Sequence, residues 1–328
     1  MIAGHQKQWD FLKNKFDANQ LSHAYLFAGQ EQLGKKFLAK ELTKLINCKN
    51  RKPDLRMPCQ KCFSCQAIEK ESFPDAMFLR AGERDQLFGD GDEIKISKIR
   101  EAQNFLSYKS YYGGFKSVVI DNAEKMNQEA QSCFLKTLEE PKGQTLLILV
   151  TSKPEMLLPT IFSRCQTIKF FPASQKEIKE FIKDKGMSGE AAQALLMLSE
   201  GKPGRAAEFI SDPKKLEKEK DDLKKLLSIA DSNLAEKFQY VKNFDFEKNK
   251  LSDIFQSLER YFRYLLFLKA GAEIQNSQSY FPKPSKNLEN YPVSKIKKII
   301  RLIESISQQT SSTNSSPKLA LEILLMEI

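Results

Sequence analysis

Four of the six cysteines, Cys48, Cys59, Cys62 and Cys65, fall within 18 residues, whereas Cys133 and Cys165 stand apart. Four thiolates are what a tetrahedral Zn²⁺ requires, and the two-residue spacings among the last three let one short loop turn three sulfurs inward. An iron–sulfur cluster also takes four thiolates, so the pattern alone leaves both open. Structural zinc is favoured because no redox motif accompanies the cluster. Four protein ligands leave no open coordination position, which argues against catalysis by the metal. His5 and His23 lie outside the cluster and read as structural.

A second pattern, Gly29-Gln-Glu-Gln-Leu-Gly34-Lys35-Lys36, fits G-x-x-x-x-G-K after an apolar run and before a helical one. Such a loop turns backbone N–H groups and a helix N-terminus toward phosphates. The final Ser/Thr is missing: Lys36 has no hydroxyl for Mg²⁺, and its ammonium competes with the metal for the same space. A third pattern is Asp121-Asn122-Ala123-Glu124 at the end of a strand-like run. Asp121 stands where a carboxylate would position the metal, and Asn122 stands where a Glu would orient the attacking water. Glu124, two positions further along a turning backbone, is expected to point elsewhere. These features predict a phosphate loop that keeps its shape without supporting hydrolysis, with ATP occupancy left open.

The elements that must position these groups follow from hydrophobic periodicity. An amphipathic helix is expected around Gln6–Phe16, a buried strand at Ala24–Ala28 and a helix from Lys35 to Ile46. Further strands are expected at Ala76–Leu79, Ser117–Asp121 and Leu146–Val150. A helix from Ile96 to Leu106 follows the acidic, Gly-rich stretch Glu83–Glu93, read as a loop. Another helix presents Met126, Ala130, Cys133, Phe134, Thr137 and Leu138 on one face before Pro141 stops it. A short helix carrying Ser163-Arg164-Cys165 precedes the last core strand. Alternating strands and helices predict a parallel sheet covered on both faces and closing near Pro172. Beyond it the pattern is helical. Three short helices between Ser174 and Phe209 are broken at Gly186 and at Gly201-Lys202-Pro203-Gly204, with Ser174 and Glu177 as a capping box. Longer helices run from Lys214 to Ile328, the clearest through Phe255, Leu258, Tyr261, Phe262 and Leu265, with a polar connection at Gly271–Pro292. The expected domains are therefore 1–172 with the zinc module at about 48–65, then 173–212, and an all-α part over 213–328.

With 328 residues and 41% hydrophobic content, the chain is long and apolar enough for several cores, which excludes a disordered protein. Mean hydropathy is −0.46, and the apolar runs are too short for a bilayer span. The N-terminal residues His5-Gln6-Lys7-Gln8 stand where a secretory signal would have its apolar core, so the expectation is a cytoplasmic protein. Net charge is +10, shared evenly between 1–212 and 213–328, with no basic arm. An acidic partner fits that charge, and so does a generally basic surface.

The series HAYLFAG (His23–Gly29), GKK (Gly34–Lys36), the four cysteines, IDNAEKMN (Ile120–Asn127), FLKTLEEP (Phe134–Pro141), LLPTIFSRC (Leu157–Cys165) and GKPGRA (Gly201–Ala206) resembles the bacterial clamp-loader members of the AAA+ superfamily. The resemblance is strongest to the delta-prime subunits of the DNA polymerase III clamp loader, and it covers about residues 1–210. It implies an ATPase module, a helical lid and an all-α collar, assembled into a hetero-pentamer with gamma/tau and delta subunits that places a sliding clamp on primed DNA. It also implies that Arg164 reaches in trans to the ATP of an adjacent subunit, that Thr151 is the sensor at the end of the central strand, and that Arg205 is the lid sensor. With Gly29, Gly34, Lys35 and Asp121, those two would line a degenerate nucleotide site. The leading expectation is a non-hydrolysing stator. A hydrolysing motor of gamma/tau type and a zinc-containing DNA-binding module are the alternatives, the latter lacking a basic helix or arm.

Overall fold

Four predominantly apolar runs call for a covered sheet, and a fifth, polar segment joins them at the sheet edge with only Ile168 buried. They form one parallel sheet: β1 (Ala24–Ala28), β2 (Ala76–Leu79), β3 (Lys116–Ile120), β4 (Thr145–Thr151) and β5 (Gln166–Lys169), in the order β2-β3-β4-β1-β5. The computed structural model describes residues 3–51, 57–82, 93–246, 251–271, 281–312 and 316–328. Of the expected loop Glu83–Glu93, all but Glu93 lies outside the described residues, as does much of the connection Gly271–Pro292.

The two-residue period of β1, β3 and β4 divides their side chains between two cores. Leu26, Val118, Ile120, Leu147 and Leu149 are buried with Ile99 and Ala102 of α4 (Ile96–Ser107) and with Phe134 and Leu138 of α5 (Gln128–Glu139). Tyr25, Phe27, Val119, Ile148 and Val150 are buried with Trp9 and Leu12 of α1 (Gln6–Asp17) and with Leu38 and Leu42 of α2 (Lys35–Asn47). Helix α5 begins at Asn127, whose side chain accepts from the N–H of Ala130 at 2.9 Å. Met126, read as part of that helical face, instead precedes the helix in a bridge with Ile94. A helix absent from the sequence reading, α3 (Phe63–Glu69), grows out of the cysteine loop and buries Ala67 and Ile68 against Phe73 and Ala76. A short α6 (Pro159–Phe162) leads into β5.

The remaining helices are α7 (Gln175–Asp184), α8 (Gly189–Ser199), α9 (Pro203–Ser211), α10 (Pro213–Ala230), α11 (Leu234–Lys242), α12 (Leu251–Lys269), α13 (Lys286–Glu289), α14 (Val293–Ser312) and α15 (Pro317–Glu327). The Ser174 capping box is formed: its N–H donates to Glu177 Oε2 at 2.8 Å, and its hydroxyl accepts from the Glu177 N–H at 3.3 Å. The chain makes two compact units, Met1–Phe181 with Ser199–Arg205, and Ile182–Leu198 with Ala206–Ile328. Within the second, Phe255, Leu258, Tyr261, Phe262 and Leu265 of α12 are buried, as are Ile296, Ile299 and Ile303 of α14, and the two helices pack together. Among the described residues, no helix is long and apolar enough to cross a membrane.

The approach to β3 hangs on a single buried carboxylate. Asp75, 1% exposed, accepts from the N–H groups of Tyr111 and Tyr112, both at 2.8 Å, and from the Ser110 hydroxyl at 2.9 Å. Asp75→Ala leaves those donors without an acceptor and is expected to lower the unfolding free energy by about 3 kcal/mol, with Asp75→Asn milder, as measured by urea denaturation.

Candidate functional site

Parallel strands place their carboxyl ends along one edge, which is where α/β folds bind ligands. Gly29, Asp121 and Thr151 follow or end β1, β3 and β4 there, with Ala28 beside Thr151 in the register. A Cβ on Gly29 would come within 2.4 Å of the Phe170 carbonyl oxygen, so only glycine fits. Gly34, at φ 90°, caps α2 in a left-handed conformation that suits glycine. Lys35 is buried and folds back into the loop, its Nζ donating to the carbonyls of Gly29 and Gln30 at 2.5 Å each. Burial holds its pKa below the ordinary lysine value, partly offset by the charges of Glu124, Glu31 and Asp121.

Lys36 Nζ lies 3.3 Å from Asp121 Oδ2 and 3.8 Å from Glu71 Oε1. Glu71, on the chain leaving α3, also lies 3.0 Å from Lys40 Nζ and pairs with Arg80. An ammonium thus already neutralises the carboxylate that would hold a divalent cation. Glu124 corrects the expectation that it points elsewhere. Asn122 turns the backbone through a left-handed residue at φ 54°, and Glu124 swings back to the end of β4. Its Oε1 accepts from the Ser152 hydroxyl at 2.6 Å and from the Ser152 N–H at 3.1 Å. Desolvation would raise its pKa, but these bonds and one from Thr151 outweigh it and hold the carboxyl below the ordinary value. Thr151 is fully buried, and its hydroxyl also accepts from the Lys153 N–H at 3.1 Å.

The Gly201–Gly204 turn sits on the phosphate loop. The Gly204 N–H donates to the Gln32 carbonyl at 2.8 Å, and a Cβ on Gly204 would lie 2.6 Å from that oxygen. Arg205, the next residue, is buried. Arg164 is placed elsewhere. Gln166 of β5 pairs with Tyr25 near the start of β1, so Arg164 stands beyond the amino ends of the strands, at the edge opposite the phosphate loop. Its Nη1 donates to the Thr160 carbonyl at 3.1 Å, and its Nη2 lies 2.6 Å from Glu139 Oε1, with Arg164 one-third and Glu139 half exposed.

The cysteines do converge. Cys48 caps the end of α2, Cys59 and Cys62 line the loop and Cys65 lies in α3. Their sulfurs all lie within 4.8 Å of one another, with Cys59 and Cys65 at 3.9 Å, and none of the six cysteines is in a disulfide. Zinc–thiolate bonds of about 2.3 Å put tetrahedral sulfurs roughly 3.8 Å apart, so the four fit one metal ion. Burial pushes the Cys65 thiol up. Against desolvation, bonds from the Lys61 and Cys62 N–H groups and neighbouring thiols bring Cys59 down to about 6. Cys133 faces Gln103 and Cys165 is buried at up to about 12, both away from the cluster. His5 and His23 donate to the carbonyls of Leu33 and Leu138 at 2.6 and 3.0 Å, as structural histidines do.

A family sequence model described as DNA polymerase III, delta subunit, matches residues 4–174, just over half the chain. The chain belongs to that family. It is 34% identical over 184 residues to the DNA polymerase III subunit delta' of Bacillus subtilis, covering 56% of this chain and 53% of that one. With the subunit delta' of Pseudomonas aeruginosa the identity is 33% over 230 residues, covering 68% and 67%. The match thus spans about half the length of the first relative and two thirds of the second. A solved DNA polymerase III gamma-subunit-related protein from Thermotoga maritima aligns over 97% of both chains at 20% identity with a TM-score of 0.46.

Several residues that shape these sites escaped the sequence reading. Lys44 Nζ, buried beneath the cysteine loop, lies 2.7 Å from Glu41, 2.5 Å from Glu69 and 2.9 Å from Gln60, which in turn donates to Glu41 at 2.6 Å. This charged cluster fixes the loop between Cys59 and Cys62 to α2 and α3. Its sequence signal was Glu41 and Lys44 on an otherwise buried stretch of α2. Glu139, which holds Arg164, and Glu71 had no local signal at all.

Because the folded Glu124 carboxyl titrates below an ordinary glutamate, its stabilisation is fully present above the unfolded value, near pH 4, and is lost as the pH falls through the folded value. The difference in unfolding free energy between wild type and Glu124→Gln should therefore be largest near pH 7 and shrink below about pH 4, measured by denaturant titration at each pH.

Proposed function

We propose that this chain is the non-hydrolysing delta-prime stator of a DNA polymerase III clamp loader, and that it lends Arg164 to a neighbouring subunit's ATP site. The observation that carries the reading is the Lys36–Asp121 ion pair. It spends the metal-binding carboxylate on an internal ammonium, while Asn122 offers no carboxylate to orient water. A chain built this way contributes to hydrolysis from the outside. Arg164 suits that part: it stands at the sheet edge opposite its own loop, and a surface pair with Glu139, of a kind worth about 0–1 kcal/mol, orients it without locking it. A planar guanidinium can then share the charge that develops on a neighbour's transferring phosphoryl group.

In this reading 1–172 is the AAA+ core, 173–212 the lid and 213–328 the collar. Gamma/tau and delta subunits are the neighbours, a sliding clamp and primed DNA are met through the assembly, and the compartment is the cytoplasm. Gly29, Gly34, Lys35, Asp121, Thr151 and Arg205 then form the degenerate nucleotide site. Support for assembly through the collar comes from exposed apolar side chains at helical spacing: Leu234 and Phe238 on α11, and Leu319, Ile323 and Met326 on α15. The two helices pack together, with Lys237 Nζ donating to the Leu325 carbonyl at 2.8 Å.

Zinc at Cys48, Cys59, Cys62 and Cys65 completes the proposal. When bound, it would neutralise thiolate charge and tie the end of α2 to α3. Metal analysis of protein purified without chelator should give about one zinc per chain, and Cys62→Ser should lose it; iron in its place would overturn the assignment.

The functional test is Arg164→Ala in a loader reconstituted with gamma/tau and delta subunits. Assembly should be intact, hydrolysis at one neighbouring site should fall by roughly 10³-fold, clamp loading should fall, and Arg164→Lys should rescue only in part. Full ATPase and loading by the mutant assembly would remove Arg164 from the site. Turnover of ATP by the isolated wild-type chain would return it to the hydrolysing class.

A further inference from the structure

Beside the cysteine module lies a group of rings that the nucleotide site does not use. Tyr112 is the centre. It stacks on the buried Phe73 at 5.3 Å and 21°, and its ring is flanked by Tyr111 at 5.1 Å and Phe63 at 5.7 Å. Phe63 is 60% and Tyr111 79% exposed. Single exposed aromatics are ordinary on a folded surface. Here two of them converge on a third ring, and a cation joins them: Lys49 Nζ lies 4.9 Å from the Tyr112 centroid. Their backbone is already ordered, because buried Asp75 holds the N–H groups of both tyrosines.

Lysines flank the ring-bearing segments, Lys61 two residues before Phe63 and Lys109 two before Tyr111. Lys49, Lys61 and Lys109 are exposed, and among the described residues none of them is in an ion pair. The neighbouring carboxylates are spent inside the module, Glu69 on Lys44, Glu71 on Lys36, Lys40 and Arg80, and Asp75 on backbone N–H groups. Rigid aromatic faces interleaved with ammonium groups that no carboxylate holds match a polyanion that also carries flat, unstacked rings. We propose that Phe63, Tyr111 and Tyr112, with Lys49, Lys61 and Lys109, form a binding surface for single-stranded DNA, bases stacking on the rings and phosphates meeting the lysines. Duplex DNA satisfies the charges but hides its base faces. An acidic peptide satisfies the charges but has no need of Tyr111 as an aromatic ring. The surface lies wholly on the first compact unit and requires neither Arg164 nor a neighbouring subunit, so its failure is separate from that of the stator reading.

The experiment is fluorescence anisotropy of a labelled oligothymidylate titrated with the isolated full chain. Binding should weaken with salt, and the same sequence in duplex form should bind more weakly. Tyr111→Ala should weaken binding by about tenfold, a size base stacking commonly reaches, whereas Tyr111→Trp should retain it and Tyr111→Leu should not. Tyr111 is exposed enough for these variants to fold, which circular dichroism and metal content check. Lys318→Ala, the same loss of charge far along the chain, should bind as wild type does. Three results would each overturn the proposal: no binding by the wild-type chain, equal binding by wild type and Tyr111→Ala, or a polyglutamate peptide bound as tightly as the oligothymidylate, which would reassign the surface to an acidic protein.

Discussion

All five strands of the sheet point the same way, and most of the chain's chemistry follows from that polarity. Carboxyl ends gather Gly29, Asp121 and Thr151, with the Gly201–Gly204 turn seated on the loop that follows β1. Amino ends gather the start of β5 and, just before it, Arg164. Arg164 and the loop that follows β1 therefore lie at opposite ends of the strands.

At the carboxyl edge, charge is settled internally. Lys35 is bound to loop carbonyls, Lys36 to Asp121, and Glu124 to the end of β4. Each pairing satisfies a charged group within the chain itself. Lys36 supplies a permanent cation, and the acidic residues around it are satisfied by pairs within the chain.

Glu71 links this arrangement to the cysteine module. It leaves α3 through a left-handed residue at φ 56° and places its carboxylate among Lys36, Lys40 and Arg80. The buried Lys44 cluster ties the cysteine loop to α2 from the other side. Helix α2 thus carries the Gly29–Gly34 loop at its start and one of the four converging cysteines at its end, and ion pairs reach it from the module at both places. A metal that orders the module would also order the carboxylate that balances Lys36.

The strands, both sheet-covering faces, the four-cysteine set and the departures at Lys36 and Asn122 were legible in the sequence, because each rests on local residue type and period. Burial of β1 and β4 on both sides follows from their apolar composition, and the expected boundaries of β1 and β2 coincide with those observed. What tertiary structure alone decided are the pairings between distant segments. Glu139 with Arg164, Glu71 with Lys36, Gln60 with Lys44, and Tyr111 with Phe63 around Tyr112 have no period or spacing that marks them. The direction of Glu124 was missed for a related reason. A single left-handed residue at Asn122 redirects the chain, and an asparagine tolerates that conformation without announcing it. Residue types fix which groups are available for chemistry, while the folding of strands and helices into layers decides which of them meet, since partners far apart in sequence are brought together only by packing.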